Sequence, residues 1–491
     1  MKKNEILDKT SQATKWSSIT EIMSKLVTPV SSMILARLLT PEAFGVVATV
    51  NMITSFAEVF TDAGFQKYIV QHDFKDKKQL DDNTTVAFWS NFAIAVFIFI
   101  IICLFNNELA EMVGNPGLGS VVIVASFSLI VNSFSSIQMA RFKRDFDFKT
   151  LFYIRIVTCL IPLVVTVPIA FSTHSYWALI IGTLVSNVSS AIILTIKSSW
   201  KPKFYYSFQQ FIEMFSYSWW ILLESISLWL TSYIGTFIVG RYLSKYYVGL
   251  YKTSMTTVNQ IMSLITAATS MPLFSALSRL KNDEKEMNDV YCNYMQGISV
   301  LVIPLGAGMW MYRDLVISIL LGNQWMEAKN FIGILGIINS LVLVFGSYCN
   351  GLYNAIGKTK LSLLTQILQL IVLVPVLLIY APLGFEKLYV ARSLARLELI
   401  LVQFIIMGLV IKFPIKDMVK KTIPSFVCTI IMITANIPLM HFGDSIYGQI
   451  LGVLVCVTVY FVVMRLLYKN ILINTLNIFG VNINGRKKLV K

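Results

Sequence analysis

Ionisable side chains recur inside long apolar stretches of this chain, where they are costly, and they set the chemistry open to it. Glu21 and Lys25 stand four residues apart, Thr28 and Ser32 continue their helical face, and Pro29 loosens the backbone ladder between them. Glu58 and Asp62 repeat that spacing in the next apolar run. Glu224 and Lys252 lie in two later runs, Arg392, Arg396 and Gln403 share a face further on, and Arg155 sits one turn into another run. A charge at mid-bilayer costs about 2.5–3.5 kcal/mol unless it faces protein or water. The Glu21/Lys25 pair therefore reads either as self-neutralising packing against a neighbour or as the lining of a water-filled cavity. Arg155, Arg392 and Asp62 lie near run ends, where snorkelling to the headgroups is the competing reading. Glu58 is deep enough to titrate, and with Glu224 and Glu21 it suits ion coupling or gating. Lys25, Arg155, Lys252, Arg392 and Arg396 exceed what pairing requires, and Lys25, Lys252, Arg396 and Arg392 are the candidates for holding an anionic ligand such as a lipid diphosphate.

Catalytic sets are scarce. His72, His174 and His441 are isolated in loops, so no His–carboxylate or His–cysteine arrangement emerges. Gly351-Leu352-Tyr353-Asn354-Ala355-Ile356-Gly357-Lys358-Thr359 imitates a phosphate-binding loop but has five residues between its glycines instead of four, and it leaves an apolar run rather than a strand. The six cysteines, Cys103, Cys159, Cys292, Cys349, Cys428 and Cys456, show no metal or disulfide spacing. No cofactor or metal is expected, and the reading is of a protein that is not an enzyme.

The elements that must position these groups follow from composition. Hydrophobic residues make up 56% of the 491 and charged residues 14%. Apolar runs of about 20 residues, each able to cross roughly 30 Å of hydrocarbon, recur throughout. Continuous runs rather than alternation select helices over a barrel. The expected spans are 16–35, 44–65, 86–105, 118–138, 151–171, 176–196, 215–239, 249–276, 295–312, 328–353, 361–380, 388–411, 423–439 and 447–468. No cleavage pattern follows the basic start, so the first span is expected to be retained. With both termini in the cytoplasm, most of the 41 lysines and arginines fall on inside segments, including Arg141-Phe142-Lys143-Arg144 and the Arg486-Lys487-Lys488 tail. Outside loops hold only Arg37, Arg241, Lys245, Arg313, Lys329 and Lys387. The net charge of +15 then reflects topology and lipid headgroups, without nucleic acid. Trp16, Trp89, Trp177, Trp219, Trp220, Trp310 and Trp325 fall near span ends, as interfacial anchors do.

An internal repeat orders the spans. Ala36-Arg37-Leu38-Leu39-Thr40-Pro41-Glu42-Ala43-Phe44-Gly45-Val46 shares its pattern of small residue, Arg, Leu, hydroxyl, apolar, Gly and aliphatic with Gly240-Arg241-Tyr242-Leu243-Ser244-Lys245-Tyr246-Tyr247-Val248-Gly249-Leu250. Each opens the second span of its half. This divides the chain into lobes 1–204 (spans 1–6) and 205–411 (spans 7–12), with 412–491 carrying two appended spans and the basic tail.

Together with the first of these stretches, Phe60-Thr61-Asp62-Ala63-Gly64-Phe65, Arg141-Phe142-Lys143-Arg144-Asp145-Phe146-Asp147-Phe148, Leu321-Gly322-Asn323-Gln324-Trp325 and Gly357-Lys358-Thr359-Lys360-Leu361 make the chain resemble the bacterial polysaccharide transporter family, in the branch typified by the colanic acid exporter. That family belongs to the multidrug/oligosaccharidyl-lipid/polysaccharide exporter superfamily. The resemblance implies an all-α membrane protein with two six-helix pseudo-symmetric lobes around a central cavity and two further helices. It also implies ion-driven alternating access that carries an undecaprenyl-diphosphate-linked oligosaccharide across the cytoplasmic membrane, with membrane lipids and polysaccharide assembly proteins as partners. A multidrug exporter of the same superfamily is the alternative, though its cationic substrates favour acidic cavities. A glycan polymerase or acyltransferase should show a sizeable outer loop or a His/carboxylate pair.

Overall fold

The computed structural model describes residues 3–62, 64–440 and 445–478. His441 and the Arg486-Lys487-Lys488 tail lie outside the described residues. Among the described residues, fourteen helices are long and apolar enough to cross a membrane, one at each of the fourteen expected positions. No strand occurs among the described residues, and the all-α membrane architecture is as expected. The helices outrun the apolar runs where capping and pairing, not hydropathy, set their ends. The third spanning helix starts at Lys77, where the Asp76 carboxylate accepts the Gln79 amide at 2.7 Å. The ninth starts at Glu284, capped by Asp283 on the Glu286 amide at 3.0 Å.

Contacts divide the chain into two compact units, residues 1–252 and 253–491. The sequence repeat places the stretch after residue 204 in a second lobe, whereas by packing everything up to Lys252 belongs to the first unit. That unit comprises α1 (Lys3–Leu38), α2 (Pro41–Asp62), α3 (Phe65–Gln71), α4 (Lys77–Leu104), α5 (Asn106–Met112), α6 (Gly119–Arg144), α7 (Phe148–Ile161), α8 (Val167–Thr173), α9 (Trp177–Lys197), α10 (Phe208–Tyr242) and the start of α11 (Lys245–Arg279). A π-helical turn, Pro162–Thr166, joins α7 to α8. Val50, Ile53, Ala95, Val122, Leu129 and Ile180 from α2, α4, α6 and α9 form one core. Phe65, Ile69, Phe88, Ile137 and Met214 form another beneath α3.

The two repeat stretches meet in this unit. A Cβ on Gly45 would overlap the Lys245 carbonyl, and a Cβ on Gly249 would overlap the Pro41 carbonyl. Because Pro41 and Gly45 are the repeat counterparts of Lys245 and Gly249, the contact is reciprocal, as across a twofold axis. Close crossing through small residues is how helices associate where lipid removes the hydrophobic driving force. Beside it, Gly114, with φ +83°, lies against the Gly240 carbonyl, and Asn115 donates to the Thr49 hydroxyl.

The basic motif ending α6 also has structural work. Arg141 makes a 2.7 Å ion pair with Asp81 and is buried. Arg144 donates to the carbonyls of Ile69 and His72, each at 2.8 Å, and its guanidinium lies 4.8 Å from the Phe74 ring centre. One guanidinium nitrogen, Nη1, thus satisfies carbonyls left open at the end of α3.

The second unit continues α11 and adds α12 (Glu284–Met311), α13 (Arg313–Leu320), α14 (Lys329–Val342), α15 (Cys349–Ala355), α16 (Thr359–Tyr380), α17 (Phe385–Ala395), α18 (Leu397–Ile406), α19 (Ile415–Met440), α20 (Ile446–Leu467) and α21 (Lys469–Ile478). Helices α19 and α20, the two appended spans, are tied to α12 by Ser299 with Ser425 at 2.8 Å and by the Tyr460 hydroxyl donating to the Val300 carbonyl at 2.7 Å. Gly351 lies inside α15, and the left-handed turn comes only at Gly357, so the imitation phosphate loop has no cradle of free amides. Trp325, expected as an interfacial anchor, is instead fully buried, because the tight turn Asn323–Ala328 carries it inward. Trp219 is exposed, and the Trp220 side chain lies outside the described residues.

The crossing predicts opposite outcomes at two helical glycines. Gly45→Val should lower the melting temperature in detergent, because overpacking at about 1–3 kcal/mol outweighs the helix-propensity gain. Gly351→Ala, where an added Cβ meets nothing within 4 Å, should leave it unchanged or slightly raised. A thermal-shift assay on the purified variants separates the two.

Candidate functional site

The polar stripe of α1 turns inward. Ser17, Thr20, Glu21, Thr28, Ser31 and Ser32 recur at intervals that keep them on one side of the helix, and all line a chamber of about 1040 Å³ inside the first unit. Lys25 is half-buried and is not among the lining residues. At about 100° per residue it stands roughly 80° from the centre of the lining face, which the four-residue spacing from Glu21 conceals.

The other walls follow the same logic. From α6, Asn132, Ser136 and Lys143 recur at helical spacing; from α9 come Ser186, Asn187 and Ser190; from α2, Ser55, Glu58 and Thr61. Helix α7 contributes Arg155 and Thr158 above the π-helical turn, which packs so closely on α9 that a Cβ on Gly182 would overlap the Thr166 hydroxyl. Hydroxyls and carboxamides therefore make up most of the lining, in helices whose outer faces are apolar. Polar groups at this depth are tolerated only facing protein or water, and this chamber is the water-facing surface they share.

Four carboxylate or basic side chains line it: Glu21, Glu58, Lys143 and Arg155. The lining is charge-balanced, unlike the cation-rich cavity expected from the spans taken together. The Asn132 carboxamide donates to the Glu58 carboxylate at 2.7 Å, which orients one of its oxygens. Arg155 donates through Nε to the Ser24 hydroxyl at 3.1 Å, anchoring it across to α1. That leaves the planar end of the guanidinium available for bidentate recognition of an oxyanion.

The remaining sequence candidates lie elsewhere. Glu224, on α10, pairs with Lys67 of α3 at 3.4 Å, both more than half exposed, an ion pair worth at most about 1 kcal/mol. Lys252 sits 4.4 Å from the centre of the Tyr233 ring. Arg392 and Arg396 belong to the second unit, at the joint between α17 and α18. Arg392 is buried, so it does not reach headgroups. Gln403, on their face in the sequence, is fully buried and accepts from the Tyr353 hydroxyl. Asn132 and Asn187 were not among the residues singled out by charge, and Lys143 appeared only within a basic inside segment, although amides and hydroxyls recurring at helical spacing inside apolar runs marked those faces.

Comparison with known proteins adds three findings. Residues 34–330 match a family described as polysaccharide biosynthesis protein. An uncharacterised membrane protein in the cps region of Klebsiella pneumoniae is 23% identical over 75% of this chain and 76% of its own length, and the succinoglycan biosynthesis transport protein ExoT of Rhizobium meliloti (strain 1021) is 22% identical over 63% and 62%. Among solved structures, the lipid II flippase MurJ in an inward closed conformation superposes with a TM-score of 0.74 at 16% identity, over 93% of this chain and 99% of that one.

A water-filled chamber predicts a labelling pattern. In a cysteine-free background, Ser32→Cys and Ser186→Cys should react with a hydrophilic maleimide at least about tenfold faster than Lys25→Cys, as expected when only thiols reached by water ionise freely. Equal rates would show that the α1 stripe does not face the chamber.

Proposed function

The chain belongs to the polysaccharide biosynthesis protein family, and on that premise we propose that it is a flippase carrying an undecaprenyl-diphosphate-linked oligosaccharide from the cytoplasmic to the outer leaflet. The observation that carries this reading is the chamber itself: a membrane-embedded space dominated by hydroxyls and carboxamides, with two cations and two carboxylates, inside apolar helices. Hydroxyl and amide groups both donate and accept, which suits the alternating donors and acceptors of a sugar. Its volume, about 1040 Å³, stands at the upper end of the roughly 300–1,000 Å³ of small-molecule sites.

In this reading Arg155 and Lys143 hold the diphosphate, Arg155 bidentately and Lys143 as a point charge. Glu58 and Glu21, the lining carboxylates, are the groups through which an ion gradient drives the cycle, and Glu224 gates through its pair with Lys67. Lys25, Lys252, Arg392 and Arg396 act outside this chamber, on orientation or on other stages of the cycle. Both termini lie in the cytoplasm, and the membrane is the bacterial cytoplasmic one.

Depleting the protein in its native host should raise the cytoplasmic-leaflet pool of diphosphate-linked oligosaccharide while surface polysaccharide falls. At unchanged membrane levels, Arg155→Ala with Lys143→Ala should cut export at least about tenfold, the loss expected when charged hydrogen bonds worth about 1.5–3 kcal/mol each are removed. Lys25→Ala should cut it far less. Unchanged pools on depletion, with no second transporter present, would overturn the flippase reading.

A further inference from the structure

The stretch that links α9 to α10 is not built like a solvent loop. Residues 197–212 contain Lys197, Lys201 and Lys203 and no carboxylate. All three lysines are exposed. Aromatic side chains follow them into the open: Phe204 is fully exposed, and Tyr205, Tyr206 and Phe208 are exposed as well. The backbone that carries them is nevertheless pinned. Trp200 is buried in the core beneath α3, and the Ser198 hydroxyl donates to its carbonyl at 2.9 Å. The Trp89 indole of α4 donates to the Lys203 carbonyl at 2.8 Å, and its ring stacks on Phe204 with centres 5.9 Å apart. Tyr206 and Ser90, also of α4, share a hydrogen bond of 3.1 Å. Lys201 reaches back to the Thr195 carbonyl at the end of α9. A pinned backbone that holds aromatic rings outward calls for an apolar medium to receive them.

Position and charge decide what that medium is. Helix α10 has 35 residues, about 52 Å at 1.5 Å per residue, against roughly 30 Å of hydrocarbon. Its first two turns, with Phe208 and Ile212 exposed, precede the apolar run and stand at headgroup level, where aromatic rings are favoured. The lysines lie at the same end of the helices, and nearby carboxylates do not cancel them. Glu213, the first carboxylate after the stretch, accepts from Gln209 at 3.4 Å. The adjoining loop, whose Phe74 joins the same core, sets Lys75, Lys77 and Lys78 against Asp73 and Asp76. A zwitterionic headgroup has no net charge to match this surface. An anionic one does, and each lysine near such a headgroup layer contributes about fivefold to binding. We propose that residues 197–212 form a docking element for anionic phospholipid: Lys197, Lys201 and Lys203 meet the headgroup phosphates, while Phe204, Tyr205 and Phe208 enter the acyl boundary. The inference stands apart from the flippase reading, since it concerns the lipid-facing surface of the first unit and uses no residue of the chamber.

The test reads the lipids beside this stretch directly. In a cysteine-free background the exposed Ser199 is replaced, Ser199→Cys, and labelled with a fluorophore. The full chain is reconstituted into phosphatidylcholine vesicles that carry either phosphatidylglycerol or phosphatidylcholine spin-labelled high on the acyl chain, which quenches on contact. Phosphatidylglycerol should quench at least about fivefold more effectively, the contribution of a single lysine, and the preference should shrink as salt is raised. Lys197→Gln with Lys201→Gln and Lys203→Gln should bring the ratio close to unity. Lys281→Gln with Lys285→Gln and Lys360→Gln, the same loss of charge elsewhere in the chain, should leave it unchanged. Phe204→Ser should lower quenching by both lipids, because the stretch then sits less deeply. Equal quenching by the two lipids would overturn the inference, as would a preference that survives loss of the three lysines. Absence of quenching by either lipid would place the stretch in water and overturn it as well.

Discussion

The close approach of Gly45 to Lys245 and of Gly249 to Pro41 is the constraint on which the first unit depends. It brings the two repeat stretches backbone to backbone, a distance no side chain permits, and so fixes the line along which α2 runs. Ser55 and Glu58, which that helix brings to the chamber, lie three turns from the crossing. A larger residue at either glycine would tilt α2 and move the Glu58 carboxylate away from Asn132, 2.7 Å from it. Packing at one end of a helix and chemistry further along it are thereby one problem.

The chamber resolves a second constraint. Lipid offers no partner to hydroxyls, amides or charges, so every polar residue inside a span must turn toward protein or water. In the first unit α1, α2, α6, α7 and α9 all turn their polar faces to one space, and its lining pairs two carboxylates with two cations. Arg155 is tethered to Ser24 and Glu58 to Asn132, so both charged groups are held in place from neighbouring helices.

Motif and site separate clearly in this chain. The basic segment ending α6 contributes Arg141 to an ion pair with Asp81, Arg144 to the carbonyls ending α3, and only Lys143 to the chamber. Residues two apart on a helix point about 160° away from each other, so Lys143 turns to the chamber while Arg141 turns away from it. Only one residue of the conspicuous charge cluster belongs to the site, whereas the quieter polar series Asn132 and Ser136 lies along its wall.

The sequence by itself determined the number of spans, their places and the repeat, because the hydrocarbon thickness and the cost of an unpaired amide act on each segment alone and leave their mark in local composition. Glu21, Glu58 and Arg155 were legible as costly charges for the same reason. Which of them meet was decided only by the tertiary structure. Lys25 and Glu21 share a helix yet stand in different surroundings, Glu224 finds Lys67 from a distant segment, and Gln403 is taken up by Tyr353. Hydropathy records how deep a residue lies and nothing of the direction it faces. Direction comes from helix rotation and crossing, which are set where glycines let two backbones touch.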